Sequence, residues 1–194
     1  YKRQHNHNDV GSVTLYRDGR PLLIDVGVET YSKKTFSPQR YEIWTMQSGW
    51  HNLPQFDPDG AKYDQQPGAA FAAADVTVTD ALDGLAMDLA PAYGSVPGLG
   101  RYRRSVHLTD TGLTLHDETD YPGTVALTLM SVEKPTVDGD TVAFGALAAA
   151  AVTGADKIVT EAVPIADPRL RQAWPGTLYR TRIYFTQQLS LVIE

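Results

Sequence analysis

"GSVTLYRDGRPLLIDVG", residues 11–27, decides the fold. Val13 and Leu15 alternate with polar neighbours, the two-residue period of a strand with one face buried. Asp18-Gly19 follows, a pair that tolerates the positive φ of a tight hairpin turn. The apolar run Leu22–Ile24 then returns. The stretch reads as an antiparallel hairpin.

The same grammar recurs outward from there. "AADVTVTDAL" (73–82) alternates as another strand. "RYRRSVHLTDTGLTLHDET" (101–119) predicts a second hairpin turning at Asp110-Thr111-Gly112, and "GTVALTLMSVEKPTVDGDTVAFGAL" (123–147) carries a third turn at Asp138-Gly139. "GTLYRTRIYFTQQLSLVIE" (176–194) is rich in strand formers. The alanine run "ALAAAA" (146–151) is the best helix candidate, although strand signals flank it. The fold class is therefore all-β, an antiparallel β-sandwich of two packed sheets in a single domain spanning 1–194. Residues 30–68 fit least well. "FSPQRYEIWTMQSGWHNLPQFDPDG" (36–60) reads as long loops around a short element, where functional residues tend to gather.

Bulk properties narrow the function. A net charge of −6 argues against general nucleic-acid binding, which needs a basic face. No run of 18 apolar residues is present, and "VAFGALAAAAV" (142–152) is too short to span a bilayer. The absence of cysteine removes disulfides and thiolate metal sites, so a metal must be held by His, Asp, Glu or backbone oxygen. The compartment stays open, with a secreted or periplasmic bacterial location favoured over the cytoplasm. The chain begins "YKRQHNHND" without an initiating Met and reads as a piece of a larger protein.

Only five histidines occur, and two of them share "HNHNDVGS" (5–12). Asp25 interrupts the apolar "LLIDVG", and an acid in such a place is usually paired, hydrogen-bonded or metal-bound. His51 lies in the loop-rich stretch. His7, Asp25 and His51 make a set of two imidazoles and one carboxylate, for which zinc is the natural ion. Taken one by one, Asp25 also suits a strand-end cap and His51 an ordinary loop residue. The hairpin sets a geometric condition. Asp25 falls opposite Ser12, and an unbroken strand would carry His7 roughly 17 Å further on at about 3.4 Å per residue. A shared site requires a bend between Asn8 and Gly11. His107 and His116 read as sheet residues, and "RYRR" (101–104) as either a face for an anionic ligand or a solvated strand face.

Taken together, "HNHNDVGSVTLYRDGRPLLIDVGVETY" (5–31), "RYEIWTMQSGWHN" (40–52) and "GRYRRSVHL" (100–108) resemble the C-terminal β-sandwich of the heparinase II/III-like family. These are polysaccharide lyases that cut uronate-containing chains such as heparin, heparan sulfate and alginate. The resemblance implies an N-terminal α/α-toroid ahead of the sandwich, with the active site in the cleft between them. It implies zinc at His7, Asp25 and His51, with manganese or calcium as lesser fits. It implies a catalytic role for His5 and an acidic polysaccharide as substrate. The family's catalytic Tyr and its carboxylate-neutralising Asn or His belong to the toroid, so the isolated chain is expected to be nearly inactive.

Two other functions suit the residues. One is a carbohydrate-binding sandwich in which Tyr41, Trp44 and Trp50 stack on sugar rings, although Trp in sandwiches usually packs in the core. The other is a zinc hydrolase with Asp9 or Glu29 as general base.

Overall fold

The computed structural model describes residues 7–194. The first hairpin joins β1 (Leu15–Arg17) to β2 (Arg20–Leu23). Its turn sits at Asp18-Gly19, both at positive φ, and Arg17 pairs with Arg20. The expected second and third hairpins also form. β6 (Tyr102–Leu108) pairs with β7 (Leu113–Thr119), and β9 (Pro135–Asp138) with β10 (Thr141–Phe144).

The remaining strands are β3 (Pro54–Phe56), β4 (Ala74–Val78), β5 (Gly84–Asp88), β8 (Val125–Ser131), β11 (Ala148–Pro164) and β12 (Thr177–Ile193). All pair antiparallel in one hydrogen-bonded order, β4-β5-β6-β7-β12-β11-β10-β9, with β8 also on β12 and β3 on β8. The long hairpin β11–β12 joins the layers of the sandwich. The C-terminal half of β12 pairs with β7 and its N-terminal half with β8. Between them the register slips near Gly154, which lies at φ +91, while Gln187 opposite lies at φ +67. Such bulges bend a strand and let it serve two layers.

The main core runs between the layers. Leu113, Leu115, Leu189 and Leu191 meet Val125, Leu127, Ile183 and Phe185, with Phe56 edge-on to Tyr93, Tyr102 and Tyr121. A second cluster, including Ile24, Val26, Met130, Val163 and Leu178, lies next to the candidate site.

Two expectations are corrected. The alanine run is strand: Ala148–Ala151 belong to β11 and pair with β10. Tertiary pairing overrides alanine's helix propensity. "RYRR" does not form one exposed face. Arg104 is completely buried, while Arg101 reaches outward to Glu118. The only α-helix among the described residues is the single turn α1 (Leu170–Ala173). None is long and apolar enough to cross a membrane. Residues 34–50 form short 3-10 turns, as the loop-rich composition suggests.

Candidate metal centre

Three segments converge at one end of the sandwich. The first carries His7 and Asp9. Asn8 donates its backbone N–H to the Met46 carbonyl (3.1 Å) and its side-chain amide to the Gln65 carbonyl (2.7 Å). Gln65 in turn clasps Val10 through both its N–H (2.9 Å) and its C=O (2.8 Å). The chain then reverses: Ser12 N–H returns to the Asp9 carbonyl (3.0 Å), with Gly11 at φ +79. This is the bend that the hairpin geometry requires. Glycine suits it on two counts, since a Cβ there would also lie 2.6 Å from Leu89.

The second segment leaves β2 at Ile24, whose N–H bonds the Met130 carbonyl, and presents Asp25. The third ends the 3-10 turn Ser48–Trp50 and presents His51. Asn52 binds all three together. Its side chain donates to the carbonyls of Val13 (2.7 Å) and Ile24 (3.1 Å) and accepts from Met130 N–H (2.7 Å). Arg104 reinforces this from below. It donates to the Gly11 and Asn52 carbonyls (3.0 and 2.8 Å) and forms a two-pronged pair with Asp117 (2.8 and 2.7 Å). The pair is fully buried.

The result brings His7, Asp9, Asp25 and His51 together, with one donor atom of each within 4.8 Å of the others. The two imidazole centroids are 5.4 Å apart. His51 is 1% exposed, and its Nδ1 lies 3.4 Å from Asp25 with no hydrogen-bond partner. Its other nitrogen, Nε2, faces the Thr45 carbonyl at 3.2 Å. A carbonyl only accepts, so Nε2 carries a proton, and whenever the ring is neutral its Nδ1 lone pair faces the cluster. Metal-ligating histidines have this arrangement: one nitrogen tied to a carbonyl, the other bare.

The electrostatics agree. Burial, reinforced by His51, lowers the His7 pKa in spite of the nearby Asp25 and Asp9. Burial works to raise Asp25, yet His51, the Gly27 amide (2.6 Å) and His7 outweigh it and hold the carboxyl below its ordinary value. Neutral imidazole and ionised carboxylate are the forms that bind metal. The donor set therefore fits a divalent ion of zinc's type. A cavity of about 250 Å³ opens beside His7 and Asp9, lined also by Gln65, Gln66, Gly68 and Phe71.

His5 lies outside the described residues. Glu29 is not in the cluster, and its carboxylate accepts from the Trp44 indole at 2.6 Å. Trp44 and Trp50 pack edge-to-face on the second core cluster, and the Arg180 guanidinium sits 3.7 Å from the Trp50 ring centroid. His107 approaches Asp83 at 3.7 Å, and His116 bonds Ser190 at 2.7 Å, both on the sheet. Sequence reasoning did not find the roles of Asn52, Arg104 and Asp117. Arg104 and Asp117 were detectable: each sits at an apolar parity in its strand, and the second hairpin places them opposite one another.

Residues 1–187 match the family model described as heparinase II/III-like, C-terminal. No curated protein matches. Among solved structures, the chain is similar to a heparinase III with methylated lysines (16% identity, TM-score 0.65, 96% of this chain and 30% of that one). It is also similar to another heparinase III (20%, 0.62, 96% and 30%). A mutant heparan sulfate lyase from Pedobacter heparinus gives 15% identity and a TM-score of 0.67, over 97% of this chain and 31% of that one. The chain thus spans about 30% of the length of these structures.

Proposed function

Because the chain belongs to the heparinase II/III-like family, as its C-terminal domain, we propose that it is the sandwich part of a polysaccharide lyase. The substrate class is a uronate-containing acidic polysaccharide, and the reaction is β-elimination. A base removes the proton at C5 of the uronate. The electron pair forms the C4–C5 double bond, the C4–O bond breaks, and an acid protonates the departing oxygen. The C5 proton becomes acidic enough only when the neighbouring carboxylate is neutralised, an electrostatic task.

In this proposal His7, Asp25 and His51 hold a zinc ion. The ion would supply positive charge and a rigid fastening for the segment that carries His5. His5, two residues earlier in the sequence, takes part in proton transfer or charge stabilisation. A helical N-terminal toroid supplies the opposite wall of the cleft, the Tyr and the carboxylate-neutralising group.

The bare, buried Nδ1 of His51, turned toward Asp25 and His7, carries this assignment. The packed environments of Trp44 and Trp50 give little support to the alternative in which they stack on sugar rings. Elemental analysis tests the site: one zinc per chain, lost in His7→Ala and in His51→Ala. Failure to bind zinc even when it is supplied would discard the ligand set. The longer protein that includes the toroid should release unsaturated, ultraviolet-absorbing sugars from uronate polymers and lose that activity in His5→Ala.

A further inference from the structure

We propose that the face of β8, β11 and β12 turned away from the main core carries a track for the anionic groups of a polysaccharide. The inference rests on the proposed lyase function and adds where the polymer lies beyond the bond that is cut. Along the N-terminal half of β12, Thr181, Ile183 and Phe185 are fully buried in the molecule. Strand alternation turns Arg180, Arg182 and Tyr184 to the other face. The register of β11 sets Glu161, Val159 and Lys157 directly beside them. At one end of this face Met130 and Leu178 are covered by the second core cluster and Trp50. Beyond that cover the cations emerge.

They form an ordered row. Arg180 lies 3.7 Å from the Trp50 ring centroid, donates to the Gly49 carbonyl (3.2 Å) and pairs with Glu161 (2.5 Å). Trp50 directly precedes His51, so this end of the row adjoins the candidate centre. Arg182 and Lys157 come next, and both rest against the Tyr184 ring, 5.4 and 5.2 Å from its centroid. Four residues of strand, about 14 Å, separate Arg180 from Tyr184. Side chains held on a ring have already given up part of the freedom that a ligand would otherwise have to remove.

Charge says what the row takes. Glu161 answers Arg180, and Asp59 lies 3.5 Å from the Tyr184 hydroxyl. Arg182 and Lys157 form no ion pair among the described residues. Burial draws the Arg180 pKa down, and Arg182 adds to this while Glu161 opposes it. The two guanidiniums thus crowd one another, and an anion lying along them would relieve both. On a chain of net charge −6, fixed positive charge in a row fits carboxylate or sulfate groups spaced along a polymer. Guanidinium binds such groups through paired N–H donors.

The test uses the longer protein that includes the toroid. Arg182→Ala with Lys157→Ala should raise KM on long alginate and heparin chains about tenfold. It should leave kcat, zinc content and KM on the shortest oligosaccharide cleaved unchanged. Arg182→Lys with Lys157→Arg keeps both charges and should restore KM, and the difference should close in high salt. Retention on immobilised heparin and alginate reads the row without catalysis. Wild type should elute at higher salt than the alanine variant, and a difference on heparin alone would assign the row to sulfate. Equal elution with unchanged KM, or a KM rise shared by the shortest oligosaccharide, would overturn the track. A wild type retained through these cations that cuts neither polymer would overturn the proposed function and leave the track standing.

Discussion

Two polar constellations lie close together in this molecule, and they differ in how far the protein satisfies them. Around Arg104, four hydrogen bonds tie a fully buried guanidinium to Asp117, Gly11 and Asn52. Burial alone would ease its proton off, but Asp117 more than reverses that and leaves the charge permanent. Close by, His51 is just as buried, and its Nδ1 has no hydrogen-bond partner, only the Asp25 carboxylate at 3.4 Å. Buried polar groups are nearly always paired, so a bare one needs a reason. One constellation is complete within the chain and holds the fold. The other, in the function proposed above, is completed by a cation.

The difference is sharpest when the closed network is cut. Arg104→Met strands the Asp117 carboxylate in the core, and such losses cost about 3–5 kcal/mol. Arg104→Met with Asp117→Leu should recover most of this, because no charge remains unpaired. Urea midpoints on metal-free protein measure both. A single variant costing less than about 1 kcal/mol would mean that the two constellations are not different in kind.

Asn52→Ala comes next. It leaves the carbonyls of Val13 and Ile24 and the N–H of Met130 without their partner, for a loss of roughly 2–4 kcal/mol. Because the same amide aligns the segments bearing Asp25 and His51, zinc affinity should also fall, by about 10–100-fold. Full zinc affinity in a destabilised Asn52→Ala would show that the frame supports the fold and not the centre.

How much of this was legible follows from how local each signal is. The hairpins were, because alternation and the Asp18-Gly19 turn act within a few residues. The strand at Ala148–Ala151 was not: alanine's own propensity points to helix, and although its partners Thr141–Phe144 are near in sequence, Ile193, which pairs with Ala150 on the other side, lies outside any local window. His7, Asp25 and His51 could be named by residue type, and the bend that joins them by arithmetic on the hairpin. Asp9 was visible only as a candidate base. On an unbroken strand it would share a face with His7, but the same strand would hold both far from Asp25. Only the reversal at Asp9–Ser12, held by Gly11 and Arg104, places it in the cluster. Asn52 gave no sign, because its work is done on backbone atoms that carry no side-chain signature.

A third test acts on the open constellation. Zinc at a hundredfold over its dissociation constant should raise wild-type stability by about 2.7 kcal/mol. His51→Phe should abolish that increment. Metal-free, the same variant should stay within about 1 kcal/mol of wild type, because the ring keeps its volume while the unpaired Nδ1 disappears at the cost of one bond to Thr45. Thermal unfolding with and without zinc separates the two effects. A large loss in the metal-free variant would place His51 with Arg104 among the groups that hold the fold.

The smallest effect concerns acid. Asp120 accepts the Arg101 and Gly100 amides (both 2.9 Å), and these hold its pKa below the ordinary value against the opposing effect of burial. At Asp167 burial pushes up, but the amides of Leu170, Thr30 and Arg169 prevail. Between each lowered folded pKa and the unfolded value near 3.9, the unfolded chain binds more protons, so stability rises with pH. Their contribution is therefore full above about pH 4 and is lost as pH falls through the folded values. Asp120→Asn should flatten that limb slightly. The zinc increment should vanish as pH falls, on a limb above that of the carboxylates, because imidazoles must shed protons to bind metal. Two separate acid limbs, the upper present only with zinc and the lower responding to Asp120→Asn, would keep the constellations distinct. A single limb indifferent to zinc would mean that the cluster holds no ion.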